Sequence, residues 1–191
     1  MIVISGKTAS GKNAVVDKMV KNYKFKTIVT YTTRPKRKGE KDGKTYHFIS
    51  EDEFKTKIEE GFFAEYNSFN TEFGTWYYGS AKDDYVGSND KTVIILTPTG
   101  VQAIKDLGYD VKSIYLYANE TTIKERLVKR GDTKSEADRR VLADRVDFKG
   151  FENLADKIVY NNGKADLDEV IRKILEEDDD KPDIKARFLS K

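Results

Sequence analysis

A chain of 191 residues with 38% hydrophobic content is long enough for one α/β domain and too short for two full ones. It has no cysteine, which excludes disulfides, thiolate metal sites and a covalent cysteine mechanism and fits a reducing, cytoplasmic setting. Lys plus Arg number 35 against 33 Asp plus Glu, so no global field favours nucleic acid, while no apolar run approaches the roughly 20 residues that span a bilayer and Met1 to Ser5 lacks the regions of a signal peptide.

In chain order, Ile2-Val3-Ile4-Ser5 reads as a buried strand that passes through a glycine loop into an amphipathic helix from Asn13 to Val20. Residues 31–80 are rich in aromatics and glycines, with alternating segments such as Thr45 to Ile49 around one helix near Asp52 to Glu60, the signature of an inserted mixed α/β lobe. Thr92 to Leu96 and Val111 to Leu116 read as further buried strands, followed by helices at Val101 to Leu107 and Thr122 to Lys129. Residues 130–148 are polar around a helical stretch; Lys157 to Tyr160 gives a last strand and Leu167 to Glu176 a last helix. This alternation predicts a mainly parallel sheet flanked by helices. Core segments 1–30, 81–129 and 149–177 make one domain over 1–177, and 178–191 is a tail. The acidic run Glu176 to Asp180 reads as a solvated helix end, since consecutive carboxylates do not converge on a metal.

Gly6-Lys7-Thr8-Ala9-Ser10-Gly11-Lys12 satisfies G-x-x-x-x-G-K in the required context, after a strand and before a helix. Glycines let successive N–H groups face inward around phosphate oxygens, the helix N-terminus adds positive potential, and Lys12 reaches the β and γ oxygens. ATP with Mg²⁺ is therefore the expected ligand of Gly6 to Asn13. Where a Ser or Thr hydroxyl usually follows the lysine, this chain has Asn13, whose amide either approaches the metal, directly or through water, or caps the helix.

The run Thr32-Thr33-Arg34-Pro35-Lys36-Arg37-Lys38-Gly39-Glu40-Lys41-Asp42-Gly43-Lys44-Thr45-Tyr46-His47-Phe48 resembles the T-T-R-x-x-R-x-G-E-x-x-G-x-x-Y-x-F signature of the guanylate kinase family. The resemblance implies a phosphate-loop kinase fold with a nucleotide-binding lobe at 31–80 and a helical lid at 130–148. It implies a substrate phosphate gripped by Arg34, Arg37, Tyr46 and Tyr78, where arginine forks match phosphate geometry and phenols donate without adding charge. Phe62 to Tyr66 resembles F-x-E-W/Y and sets Glu65 against the base; Thr30 and Ser80 fall where the family has hydroxyls near it. An ionised Glu65 accepts two hydrogen bonds and suits guanine, whose N1–H and 2-amino group are adjacent donors. Glu125-Arg126-Leu127-Val128-Lys129-Arg130-Gly131 resembles the lid motif E-R-L-x-x-R-G, which makes Arg130 a phosphate clamp, with Arg140 favoured over Arg139 and Arg145 as the second lid arginine.

The family's D-x-D after the strand Thr92 to Leu96 is missing: Leu96 and Pro98 stand in place of the two aspartates. The expected activity is a kinase transferring the ATP γ-phosphoryl group to GMP or dGMP through Lys12, Arg34, Arg130 and Arg140. The alternatives are altered base choice or a related binding module without turnover. Expected partners are ATP and a purine nucleoside monophosphate, with no nucleic acid and no membrane, in a monomer or homodimer. His47, the one histidine, reads as structural.

Overall fold

The structure, a computed structural model, describes residues 1–37, 39–71, 74–163 and 166–176. The expected tail and most of the acidic run lie outside these residues.

Five strands form a wholly parallel sheet in the order β2 (Lys26–Thr27), β7 (Thr92–Ile95), β1 (Ile2–Ser5), β8 (Lys112–Tyr117) and β9 (Lys157–Tyr160). Side chains alternate across a strand, so β1 feeds both faces of the sheet. Ile2 and Ile4 pack with Val15, Val16 and Met19 of α1 (Lys12–Tyr23) and with Val170, Ile171 and Ile174 of α6 (Leu167–Leu175). Val3 packs the other way, with Ile94 of β7, Val101 and Ile104 of α3 (Pro98–Asp106), Tyr115 and Phe151. Because β7 and β8 flank β1 on opposite sides, the strand order reverses at β1, and the crevice at its carboxyl end is where such sheets take ligands.

Residues 31–81 build a second, mixed sheet in the order β4 (His47–Phe48), β3 (Tyr31–Thr32), β6 (Gly74–Ala81) and β5 (Phe63–Thr71), with α2 (Glu51–Glu59) packed on it. The strand expected over Thr45 to Ile49 shrinks to two residues, because Gly43 donates to the Tyr46 carbonyl and Phe48 N–H to Asp42, which turns the chain before a ladder can extend. A bulge between Phe63 and Glu65 re-aims β5, so that Phe63 stacks on Phe54 of α2 at 4.3 Å while Glu65 turns to α3.

Helices α4 (Glu120–Arg130) and α5 (Lys134–Asp147) pack through Ile123, Leu127, Ala137 and Val141, with Ala9 of the glycine loop against the same cluster. No helix among the described residues is long and apolar enough to cross a membrane.

Candidate active site

The loop between β1 and α1 is fixed from behind. A Cβ on Gly6 would lie 2.5 Å from the Leu116 carbonyl oxygen, and one on Gly11 2.5 Å from the Asn161 amide nitrogen, so neither position admits a side chain. Gly11 also takes a left-handed backbone, φ 99°. Arg126 donates to the Ala9 carbonyl at 3.0 Å and Asn161 Nδ2 to the Ser10 carbonyl at 2.8 Å, tying the loop to the body of the protein. Gly11 is the N-cap of α1, and no side chain caps that end. By contrast Ser50, Thr97, Asn119 and Thr133 cap α2, α3, α4 and α5. The first N–H groups of α1 and the positive end of its dipole are left for an anion. The capping role weighed for Asn13 is corrected here: Asn13 lies within the first turn and is exposed, past the position from which a side chain can cap.

Lys12 Nζ donates to the carbonyls of Gly6 at 2.5 Å and Lys7 at 3.0 Å. Burial pushes its ammonium down to about 8, against the upward pull of the Asp144 carboxylate. Asp144, on α5, accepts the Thr8 N–H at 2.8 Å, and its own burial raises it.

Across the cleft, Arg34 is only 3% exposed and donates through Nη2 to Glu40 at 2.7 Å, while its guanidinium lies 5.5 Å from the Tyr46 ring centre. Glu40 also accepts the Arg37 N–H at 2.7 Å, so one carboxylate organises both arginines of the signature. Tyr46 and Tyr78 meet edge to face at 5.9 Å. Partial burial, and then the guanidiniums of Arg34 and Arg130, lower Arg37.

Deeper in the lobe, Glu65 is 7% exposed. Its Oε1 accepts from Ser80 Oγ at 2.7 Å and its Oε2 from Asn67 Nδ2 at 3.2 Å; burial raises its carboxyl, and these bonds oppose the rise. Because Ser80 donates its proton to Glu65, the Tyr85 hydroxyl, 2.7 Å away, must donate to Ser80. Ser80 is fully buried and supports Glu65 from behind, whereas Thr30 lines the cleft.

Of the arginines expected in a lid, Arg130 holds Asp132 in a two-pronged pair at 2.8 and 3.1 Å, and Arg140 lies 3.6 Å from the same carboxylate. Arg139 and Arg140 share Glu136 and hold it down to about 2. Arg145 pairs with Glu120 at 2.6 Å and takes no part in this cluster. One cleft of about 360 Å³ joins the two ends, lined by Gly6, Thr8 and Lys12 on one side and by Thr30, Tyr46, Glu65 and Tyr78 on the other.

The sequence pattern of the family described as Guanylate kinase matches residues 1–178. The chain belongs to the guanylate kinase family. The guanylate kinase of Malacoplasma penetrans is 30% identical over 93% of this chain and 92% of its own length. That of Clostridium tetani is 33% identical over 72% of this chain and 66% of its own. The crystal structure of guanylate kinase from Anaplasma phagocytophilum superposes with a TM-score of 0.63 at 22% identity, over 91% of this chain and 81% of that one, a likeness of fold.

Two departures from the guanylate kinase pattern have structural answers. Leu96 is a buried core residue, and Pro98 opens α3 at a position where its missing N–H costs nothing. Among the described residues no group of three or more His, Asp or Glu side chains gathers as a metal site.

Sequence reasoning missed several residues that shape this cleft. Asn67 was legible as the residue two positions after Glu65, on the same face of a strand. Asp144, Asn161 and Tyr85 carried no local signal. Gly100 also shapes the cleft, because a Cβ there would lie 2.8 Å from Glu65 Oε2. Gly100→Ala is expected to lower stability by about 1–3 kcal/mol in thermal or denaturant unfolding. With Glu65→Ala the clash disappears, and helix propensity makes the same change neutral or stabilising by up to about 1 kcal/mol; equal effects in both backgrounds contradict the contact.

Proposed function

We propose that the chain is a nucleoside monophosphate kinase that transfers the γ-phosphoryl group of ATP to GMP or dGMP, yielding ADP and the nucleoside diphosphate. The observation that carries this reading is the single cleft shared by the glycine loop and Glu65, which suits a donor phosphate chain and a purine meeting end to end. Family membership and the retained Lys12 and Arg130 support it. The working division is a core at 1–30, 81–129 and 149–177, a nucleotide-binding lobe at 31–80 and a lid at 130–148.

In this mechanism the loop N–H groups from Gly6 to Asn13, together with Lys12, hold the donor phosphates. Arg34, Arg37, Tyr46 and Tyr78 hold the acceptor phosphate. An acceptor oxygen forms the new bond to the γ phosphorus as the bond from that phosphorus to the β,γ-bridging oxygen breaks, and ADP leaves. The attacking oxygen is already charged, so no general base is needed; positioning and charge neutralisation by Lys12, Arg34, Arg130 and Arg140 supply the catalysis. Mg²⁺ bound with ATP would supply charge neutralisation on the phosphates, and Asn13, exposed in the first turn of α1, is the residue that would approach it, directly or through water. Glu65, ionised, accepts from the guanine N1–H and 2-amino groups, a pair that adenine lacks.

The reading is tested by ADP release with ATP and Mg²⁺ against GMP, dGMP, AMP, dAMP, CMP, UMP and dTMP. Turnover selective for GMP or dGMP, reduced roughly 10²-fold or more by Lys12→Ala, is the expected result. A folded protein that binds nucleotide yet turns over none of them is instead a binding module, the reading that Leu96 and Pro98 favour.

A pH dependence follows from Lys12. Its protonated form is the one that binds phosphate, and its pKa of about 8 in the free protein makes that form scarce as pH rises. The kcat/KM for ATP is expected to fall about tenfold per unit above that value, the order set by a single titration. Asp144→Asn removes the charge that supports the ammonium and is expected to move this limb to lower pH; an unmoved limb contradicts the coupling.

A further inference from the structure

The edge of the cleft beside Glu65 contains a closed hydrogen-bond network whose proton positions can all be assigned. Asn67 Nδ2 lies 3.2 Å from Glu65 Oε2 and 2.9 Å from Thr97 Oγ1, and Thr99 Oγ1 lies 2.7 Å from Asn67 Oδ1. The reverse orientation of the amide would set its oxygen against the Glu65 carboxylate, so both Asn67 N–H bonds are committed, one to Glu65 and one to Thr97. Thr99 has one hydroxyl proton, and Asn67 Oδ1 takes it. The Thr97 to Thr99 contact at 3.0 Å must then be donated by Thr97. Thr97 Oγ1 accepts from Asn67 and from the Gly100 N–H at 3.1 Å, which fills its capacity.

Every donor in the network is thus consumed inside it. What it keeps for the cleft is acceptor capacity: a second lone pair on Glu65 Oε2, one on Asn67 Oδ1 and one on Thr99 Oγ1. Glu65, Asn67, Thr97 and Thr99 all line the cleft. Asn67 is the joint of this arrangement, since it is the residue that bridges the lobe carboxylate to the two core threonines. The net charge of the edge stays at that of one carboxylate, although the family pattern places aspartates in this part of the chain.

We propose that Asn67, held by Thr97 and Thr99, is a positioning and specificity-determining residue that turns this edge into an acceptor-only surface for a purine carrying an N1–H beside a 2-amino group. The inference rests on the GMP reading above and deepens it. Hypoxanthine keeps the N1–H but lacks the amine, so the network discriminates against it, and adenine presents an acceptor at N1 and is rejected.

The test is calorimetric binding of GMP, IMP and ATP to the full chain and to Asn67→Ala, Asn67→Asp, Thr99→Ser and Thr99→Val, with kcat and KM for GMP. Asn67→Ala is expected to weaken GMP about tenfold or more and IMP less, so that the GMP to IMP preference collapses while ATP affinity and kcat change little in a protein that stays folded. Asn67→Asp keeps the shape but loses the donor, and it is expected to follow Ala. Thr99→Val behaves like Asn67→Ala, and Thr99→Ser is close to the parent. In a Glu65→Gln background Asn67→Ala adds little further loss. A parent that binds GMP while Asn67→Ala keeps both GMP affinity and the preference over IMP overturns the inference alone. An equal loss for GMP, IMP and ATP also overturns it, because that is the mark of a merely structural residue. A parent that binds no GMP overturns the base assignment and this inference together.

Discussion

A buried carboxylate left without partners costs several kcal/mol, and Glu65 is a buried carboxylate placed where the second sheet meets α3. Much of the local architecture follows from meeting that cost. The β5 bulge turns the side chain toward α3, Ser80 and Asn67 supply hydrogen bonds from either side, and Gly100 withholds the Cβ that would collide with Oε2. Tyr85 completes the arrangement behind Ser80. The group that the proposed base recognition requires is also the group that fixes how the second sheet sits against α3.

The phosphate end obeys a complementary rule. There the protein concentrates positive potential: an uncapped helix N-terminus, Lys12, and the guanidiniums of Arg34, Arg37 and Arg130. Like charges at short range repel, so each is balanced by a nearby carboxylate. Glu40 serves Arg34 and the Arg37 backbone, Asp132 serves Arg130 and Arg140, and Asp144 serves Lys12 and Thr8. Arg34 with Glu40 is the most enclosed of these pairs, and removing either partner would strand a buried ion.

The fold was largely legible because its signals are local. Short apolar runs announced β1, β7, β8 and β9, and the glycine spacing after β1 announced the loop, whereas the edge strand β2, two exposed residues, gave no such signal. The short β4 was not legible either, since a turn held by Asp42 and Gly43 interrupted a segment whose alternation looked regular. At the site, residues inside the family signatures could be named from their spacing, whereas Asp144 meets Thr8 across 136 positions and Asn161 meets Ser10 across 151. Leu96 and Pro98 read in the sequence only as losses. The Asn67, Thr97 and Thr99 network became visible once the strand and the helix were side by side.

The central claim is that one cleft receives a donor phosphate chain on residues 6–13 and a guanine on Glu65. A crystal structure with a bisubstrate inhibitor, guanosine and adenosine joined by an oligophosphate chain, tests it most directly. The account predicts the guanine N1–H and 2-amino group within hydrogen-bond distance of Glu65, with the phosphates running between Lys12 and the cluster of Arg34, Arg37, Tyr46 and Tyr78. A guanine bound elsewhere, or phosphates that bypass the glycine loop, would contradict it.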